Sequence, residues 1–314
     1  MAVMALQVVL PALLLAWMLA APGRSRVGPT VQICATVLVI AAAGAAGLWL
    51  FPPWWTPFVL AAGLVLVGAA ALRRRRAGAS VFPKGVRRLP VALFVLLALW
   101  SGSILVSALR GRNPPGPEPV WLAFPLRSGT YLVVNGGSRA ELNSHLLLLD
   151  AAHRGHQAYR GQSYGVDLVK LNRWGGTSDG ISPEDPKRWT IYGEVVVAPC
   201  SGTVVAVSDG LADMPVPRPD RAHMAGNHVR IACRGVEVLL AHLRPGSVRV
   251  KAGRTVETGQ PAGEVGNTGN TNAPHLHIHA QRPGTAEAPF SGEPVPMLLD
   301  GRYLVRNDRV RAAE

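Results

Sequence analysis

Residues 274–279 read Pro-His-Leu-His-Ile-His, and this stretch decides how the C-terminal half of the chain is interpreted. Consecutive side chains of a β-strand point to opposite faces, so a strand here places three imidazoles on one face and Leu276 and Ile278 on the other. The apolar face is expected to pack into a core. Neutral imidazole is the commonest metal ligand among side chains and suits zinc. The pattern favours a metal site, and a solvent-facing histidine-rich edge is the alternative.

Two further polar residues interrupt apolar, strand-like runs. Asp167 lies in Tyr-Gly-Val-Asp-Leu-Val at 164–169, where an unpaired carboxylate would be costly, so it needs either an arginine or a metal ion as partner. His242 lies in Leu-Leu-Ala-His-Leu at 239–243. A lone histidine in such a strand is more often a hydrogen-bonded core residue than a catalytic one. The local sequence around Asp167 and His242 does not decide between these roles.

The surrounding sequence predicts a mainly antiparallel, all-β domain. Short β-branched runs alternate with Gly, Pro, Asn and Asp from about residue 121 onward, a texture typical of short strands joined by turns. The clearest predicted strands are 129–135, 194–198, 202–207, 228–232, 236–241 and 275–280.

The order of these motifs resembles the lysostaphin or LytM family of zinc endopeptidases, over about half of the chain. Biotinyl and lipoyl carriers also have glycine-punctuated hairpins, but they lack the histidines and need a modifiable lysine. The resemblance rests on residues 193–199, 201–204, 226–229, 241–243, 250–253, 256–260, 266–270 and 274–277.

The resemblance implies a β-rich peptidase fold with Zn²⁺ held by two histidines and one aspartate, its fourth position open to water. It implies hydrolysis of peptide bonds in peptidoglycan cross-bridges or stems. Asp167 matches the carboxylate ligand and His277 the distal histidine ligand. His242 and His275 match the catalytic pair that flanks the water. His279 lies beyond the family's pair, where a role in supporting a ligand is the most it is expected to have.

The sequence departs from the family at the first metal ligand. Family members usually carry a histidine four residues before the aspartate, and this chain has Ser163 there. Residues 136–145 followed by the run around Gln162 resemble a divergent branch, in which a histidine after an asparagine precedes the Gln-containing strand. We therefore predict His145 as the third metal ligand. His153, His156 or the absence of a ligand are the alternatives.

The N-terminal third predicts an all-α transmembrane bundle of four helices. Residues 1–112 contain no Asp or Glu, and apolar segments at 1–22, 31–51, 55–72 and 89–109 are each long enough to cross a bilayer. The first segment has no basic residue before its apolar run, so we interpret it as a retained helix rather than a cleaved signal peptide. The formal charge of +13 arises mainly from clusters between these segments, which argues against a nucleic-acid partner.

Basic residues predict the orientation in the membrane. The loop between the third and fourth segments is the most basic part of the chain and is expected to be cytoplasmic, which puts the C-terminal domain outside. No ionisable residue lies inside the four segments, which favours an anchor in the lipid bilayer over a transporter. A bundle that binds partner proteins in the membrane is an alternative. The basic residues of the loop are Arg73, Arg74, Arg75, Arg76, Lys84, Arg87 and Arg88.

We therefore predict a four-helix transmembrane anchor over 1–112, a Pro-rich linker over 113–120 and an extracytoplasmic metallopeptidase-like domain over 121–314, with its core at about 160–285. Cys200 and Cys233 form a disulfide in such a compartment or remain buried free thiols. Loops at 174–180 and 214–220 are expected to border the substrate groove.

The predicted function is that of a membrane-anchored, zinc-dependent endopeptidase acting on bacterial cell-wall peptidoglycan. Because of Ser163, the alternative is a catalytically inactive domain that binds peptidoglycan or activates a partner cell-wall hydrolase. One helix would be enough to anchor the domain, so a signalling or transport protein with an accessory outer domain is a third interpretation. Few polar residues interrupt the four helices, and this argues against it.

Overall fold

The computed structural model describes residues 4–21, 25–74, 80–82, 85, 88–116, 118–285 and 288–313. The chain divides into two compact units, one up to Leu109 and one from Arg110 onward. Four of the basic residues considered for membrane orientation lie outside the described residues, namely Arg75, Arg76, Lys84 and Arg87.

The N-terminal unit is helical. A π-helical turn over Ala5–Val9 leads into α1 (Leu10–Ala20), and three longer helices follow: α2 (Val27–Ala46), α3 (Thr56–Arg73) and α4 (Arg88–Arg110). Side chains from several helices share two apolar clusters. Leu14, Val39 and Phe94 are buried in the first, and Met18, Ile40 and Leu64 in the second.

The prediction of four membrane-spanning helices is wrong in one respect. Among the described residues, α2, α3 and α4 are long and apolar enough to cross a membrane, with 20, 18 and 23 residues. Within the first segment, the described residues form the shorter apolar helix Ala5–Ala20. A helix rises about 1.5 Å per residue and needs about 20 residues to cross the hydrocarbon core, so this one falls short. The part of the chain that the structure describes therefore has three candidate spans.

The C-terminal unit is a mainly antiparallel β-domain, as predicted. Its strands are β1 (Val120–Leu122), β2 (Gly129–Asn135), β3 (Val166–Lys170), β4 (Val195–Val197), β5 (Gly202–Ser208), β6 (Asn227–Cys233), β7 (Val236–Leu243), β8 (Thr255–Val256), β9 (Pro261–Glu264), β10 (Leu276–Gln281), β11 (Pro294–Val295), β12 (Met297–Leu299) and β13 (Arg309–Ala312).

Within the described residues, nine strands form one sheet in the order β13-β2-β3-β10-β7-β6-β5-β8, with β11 also pairing with β10. β4 and β9 form an antiparallel pair, whereas β1 and β12 pair in parallel. Short helical segments lie in the connections, at Ser144–Leu149, Arg154–Gln157, Arg160–Gln162 and Pro186–Arg188.

The centre of the sheet carries both the core and the polar residues of interest. Leu276 and Ile278 are fully buried in the main hydrophobic cluster, together with Leu168 on β3 and Leu240 on β7. Cys200, just before β5, forms a disulfide with Cys233 at the end of β6. The free-thiol alternative therefore does not apply to this pair, and Cys34 is a free cysteine in α2.

Candidate metal centre

Asp167 and His277 occupy opposite positions on neighbouring antiparallel strands. β3 pairs with β10 so that Asp167 lies directly across from His277. The Nδ1 atom of His277 lies 2.8 Å from Asp167 Oδ1, and both side chains are almost completely buried. A carboxylate in this position has a polar partner, so the cost of its burial is offset.

His145 joins this pair from a different part of the chain. It lies in the 3₁₀ helix Ser144–Leu149, and its Nε2 atom is 3.6 Å from Asp167 Oδ2. The imidazoles of His145 and His277 meet edge to face, with 4.8 Å between ring centroids. One potential ligand atom from each of His145, Asp167 and His277 lies within 4.8 Å of the other two.

The other residues considered for the third position point elsewhere. The Ser163 hydroxyl is fully buried and donates a hydrogen bond of 2.6 Å to the carbonyl of Arg160. His153 is exposed and pairs with Asp150, at 3.0 Å, and His156 stacks on His153. Among the described residues, His145 is the histidine of this group that lies beside Asp167.

His242 and His275 form the other side of the cluster. His242, the penultimate residue of β7, has a φ of +64°, a left-handed conformation that is uncommon for residues other than glycine. Its backbone N–H donates to Ala225 O at 3.1 Å, and its carbonyl accepts from Gly266 N at 2.9 Å. Its ring lies 4.7 Å from that of His275, and the His275 Nε2 atom is 3.5 Å from Asp167 Oδ1.

Hydrogen bonds fix which nitrogen of these rings is free. Nδ1 lies 2.8 Å from Thr268 O in His242, 2.8 Å from Ala273 O in His275, and 2.9 Å from Asn143 Oδ1 in His145. These oxygens can only accept, so each Nδ1 carries the hydrogen and each neutral ring presents an unprotonated Nε2. Such a nitrogen can bind a metal ion or accept a proton.

Burial and the mutual charges determine the ionisation of the site. Burial lowers the pKa of His145 to about 4 and that of His242 well below its usual range, so both are neutral near pH 7. Burial raises the pKa of Asp167, but the neighbouring His145, His275 and His277 outweigh this and hold it well below its usual value. The cluster thus combines an ionised carboxylate with the neutral imidazoles of His145 and His242, and metal binding requires these protonation states.

The donor set fits zinc. Zinc binds histidine nitrogen and carboxylate oxygen at about 2.0–2.2 Å with tetrahedral geometry, which puts neighbouring ligand atoms about 3.3 Å apart. The separations of 2.8 Å (His277 to Asp167) and 3.6 Å (His145 to Asp167) bracket this value. With three protein donors, a fourth tetrahedral position remains for water or substrate, as in catalytic zinc sites.

Residues outside the predicted set hold Asp167 and His145 in place. Asn135 donates from Nδ2 to Asp167 Oδ2 at 2.8 Å, and its Oδ1 accepts from Arg306 at 2.8 Å and from the Ser144 backbone at 3.3 Å. It stands at a register shift between β2 and β3. Sequence reasoning missed it because a bulge at the end of a strand has no composition signal of its own.

Asn143 and Gly165 complete the support. Asn143 is fully buried; its Nδ2 donates to Gly165 O at 3.1 Å, which turns Oδ1 toward the His145 ring. At Gly165, an added Cβ would lie 2.6 Å from Cε1 of His277. A glycine is therefore required where the backbone passes the His277 ring.

Of the two predicted border loops, the one at 214–220 contacts a residue near the cluster. Asp220 N donates to Gly269 O at 2.9 Å, beside Thr268, which holds His242. Val216 N donates to Glu184 O at 2.9 Å, which connects this loop to the segment after β3. That they border a substrate groove stays a prediction.

Residues 190–289 match the model of peptidase family M23. The matched segment includes His242, His275 and His277 and begins after Asp167. No curated protein matches the chain.

Solved structures of peptidases show partial similarity. The catalytic domain of the antimicrobial peptidase lysostaphin from Staphylococcus simulans is 23% identical over 40% of this chain and 71% of that one, with a TM-score of 0.26. A putative peptidase M23 from Pseudomonas aeruginosa is 18% identical over 64% and 59%, with a TM-score of 0.29. A zinc-containing peptidase from Vibrio cholerae is 19% identical over 42% and 48%, with a TM-score of 0.25. The chain thus spans less than two thirds of the last two.

The chain therefore carries an M23 peptidase domain, the class to which the sequence resemblance pointed. The roles of the individual histidines and of Asp167 are the subject of the proposal that follows.

Proposed function

We propose that this protein is a membrane-anchored zinc metalloendopeptidase. The observation that carries the proposal is the convergence of His145, Asp167 and His277 at the centre of the sheet, beside the two further histidines His242 and His275. His145, Asp167 and His277 would hold the ion, and His242 and His275 would act on the substrate. The M23 family match supports the peptidase class.

Each group has a chemical task in this scheme. Bound zinc would supply Lewis acidity, which lowers the pKa of water to about 7 and polarises a carbonyl group. His242 and His275 present unprotonated Nε2 atoms whose orientation is fixed by backbone carbonyls. One of them accepts the proton of the attacking water and returns it to the leaving amine, and the other stabilises the developing oxyanion.

Peptide bonds of peptidoglycan are the proposed substrate. The family resemblance implies cross-bridge or stem peptides, and an enzyme on the outer side of the membrane would meet them. The helix α3 ends at the basic Arg73, and the loop to α4 begins with Arg74, so we assign this loop to the cytoplasm and everything after α4 to the opposite side. The Cys200–Cys233 disulfide supports this assignment, because such bonds persist in oxidising compartments.

The test is hydrolysis of isolated peptidoglycan by the full chain in detergent micelles with zinc, followed by mass spectrometry of the released fragments. We expect new amino termini at one type of peptide bond. His242→Ala and His275→Ala should each lower the rate about 10²–10⁴-fold while zinc remains bound, as expected for loss of general acid–base groups. His223→Ala is the matched control, since this exposed histidine pairs with Asp220 and should have no effect.

A zinc-loaded wild-type chain that cleaves no peptidoglycan or peptide would contradict the enzymatic proposal. If it still bound peptidoglycan, or increased the rate of a separate hydrolase, the result would favour the non-catalytic alternative.

A further inference from the structure

His279 is the third histidine of β10, and the proposed mechanism gives it no task. It is 1% exposed, and its Nδ1 atom lies 2.9 Å from Nε2 of His277. The contact follows from strand geometry, because residues two apart on a strand share a face. His279 thus touches His277 on the side of the ring opposite to Asp167.

The next residue on this face is Gln281, which is also 1% exposed. Its side-chain nitrogen donates to Pro289 O at 2.6 Å, so its Oε1 atom is turned inward. Among the described residues, Oε1 of Gln281 and Nε2 of His279 are both buried without a hydrogen bond of normal geometry. Residues two apart on a strand share a face, so these two atoms belong to neighbouring side chains of β10.

Gly161 lies directly against the Gln281 side chain. An added Cβ at Gly161 would collide with Gln281 Oε1, and Gly161 N donates to Phe290 O at 2.8 Å. A glycine in the 3₁₀ helix Arg160–Gln162 therefore makes the space in which the amide ends. The row His277, His279, Gln281 is enclosed along its length.

The row has one arrangement of hydrogens that leaves His277 able to bind a metal. A neutral imidazole carries hydrogen on one nitrogen only. The His277 nitrogen that faces Asp167 is Nδ1, and it must give up its proton to an incoming ion. The single ring hydrogen of His277 then belongs on Nε2, where His279 Nδ1 accepts it. His279 therefore carries its own hydrogen on Nε2, where Gln281 Oε1 can accept it.

We propose that His279 is a positioning residue for the metal centre: it accepts the Nε2 hydrogen of His277, which fixes the ring and frees Nδ1, and Gln281 supports His279 in the same way. This inference rests on the proposed zinc site. Partners that orient metal-bound histidines typically change metal affinity about 10–100-fold when removed.

The experiment measures the zinc dissociation constant of the full chain in detergent micelles by competition with a chelator. His279→Leu and His279→Gln both fill the space, but only glutamine offers an acceptor oxygen. We expect the leucine variant to bind zinc about 10–100-fold more weakly than wild type and the glutamine variant to stay within about threefold. His228→Ala is the control, a partly buried histidine on β6 whose Nδ1 pairs with Gly226 O.

Unfolding temperatures of the metal-free variants, measured alongside, separate a positioning role from a structural one. Equal temperatures for the two His279 variants with unequal zinc affinity support the proposal. Equal zinc affinity of the leucine variant and wild type overturns it, as does a glutamine variant that folds normally and binds no better than the leucine variant. A folded wild-type chain that takes up no zinc overturns the proposed function, and this inference with it.

Discussion

At the scale of single residues, the site depends on which ring nitrogen each histidine presents. His145, His242 and His275 each have Nδ1 beside an oxygen that only accepts, so Nε2 is free in all three. The sequence indicated the side-chain types and the shared face of β10. It could not indicate these acceptors, because Thr268 and Ala273 contribute backbone carbonyls that any residue would supply.

Gly165 provides a test at this scale. Gly165→Ala brings a Cβ to 2.6 Å from the His277 ring and 2.9 Å from Gln162 O, so the ring or the backbone must shift. We expect a loss of about 1–3 kcal/mol in unfolding free energy, as for overpacked cores, together with at least tenfold weaker zinc binding. Thermal unfolding and chelator competition measure the two effects.

Gly155→Ala is the matched control for this change, since an added Cβ there meets nothing within 4 Å. Equal zinc affinity of the two alanine variants would show that the close contact between the Gly165 backbone and the His277 ring has no effect on metal binding.

At the scale of elements, the alternation of apolar and polar residues predicted which side chains of a strand enter the core, but it did not predict which strands are neighbours. Leu276 and Ile278 enter the core and His277 lies on the opposite face, as the alternation in residues 274–279 predicted. Asp167 and His277 are 110 residues apart in sequence, and their strands are neighbours only because β3 inserts between β2 and β10. No local pattern contains that order.

The first apolar segment is a case in which a local pattern predicted too much. Hydropathy alone favoured a span over residues 1–22, but the structure describes a helix of Ala5–Ala20, with a bend following at Ala21. Length of continuous helix, rather than apolar composition, decides whether a segment can cross the bilayer.

The disulfide provides a test at the scale of elements. Cys200 and Cys233 are 33 residues apart and link the start of β5 to the end of β6. Replacing both by alanine should lower the unfolding free energy of the β-domain by about 3 to 4 kcal/mol in the chain-entropy model. For a domain of this size, that corresponds to a melting temperature roughly 10 °C lower. Calorimetry of the detergent-solubilised chain measures it.

Cys34→Ala is the control, because this cysteine is free. A double variant that melts with the control would contradict a stabilising disulfide, and an unchanged melting curve of the wild-type chain under reducing conditions would do the same.

At the scale of the whole molecule, the proposed sidedness does not depend on the number of spans. The basic loop precedes α4, and α4 alone separates that loop from the β-domain. Whether α1 crosses the bilayer changes the side of the N-terminus only. The division of the chain into an apolar, acid-free part and a nearly neutral part was readable from composition, since acidic residues begin only at Glu118.

The most direct test of the account is the zinc content of the full chain, measured by elemental analysis after purification in detergent. We predict about one zinc per chain, lost in His145→Ala and in His277→Ala and retained in His153→Ala, the exposed histidine paired with Asp150. Zinc retained at full stoichiometry in His145→Ala, or no zinc in a well-folded wild-type chain, would contradict it.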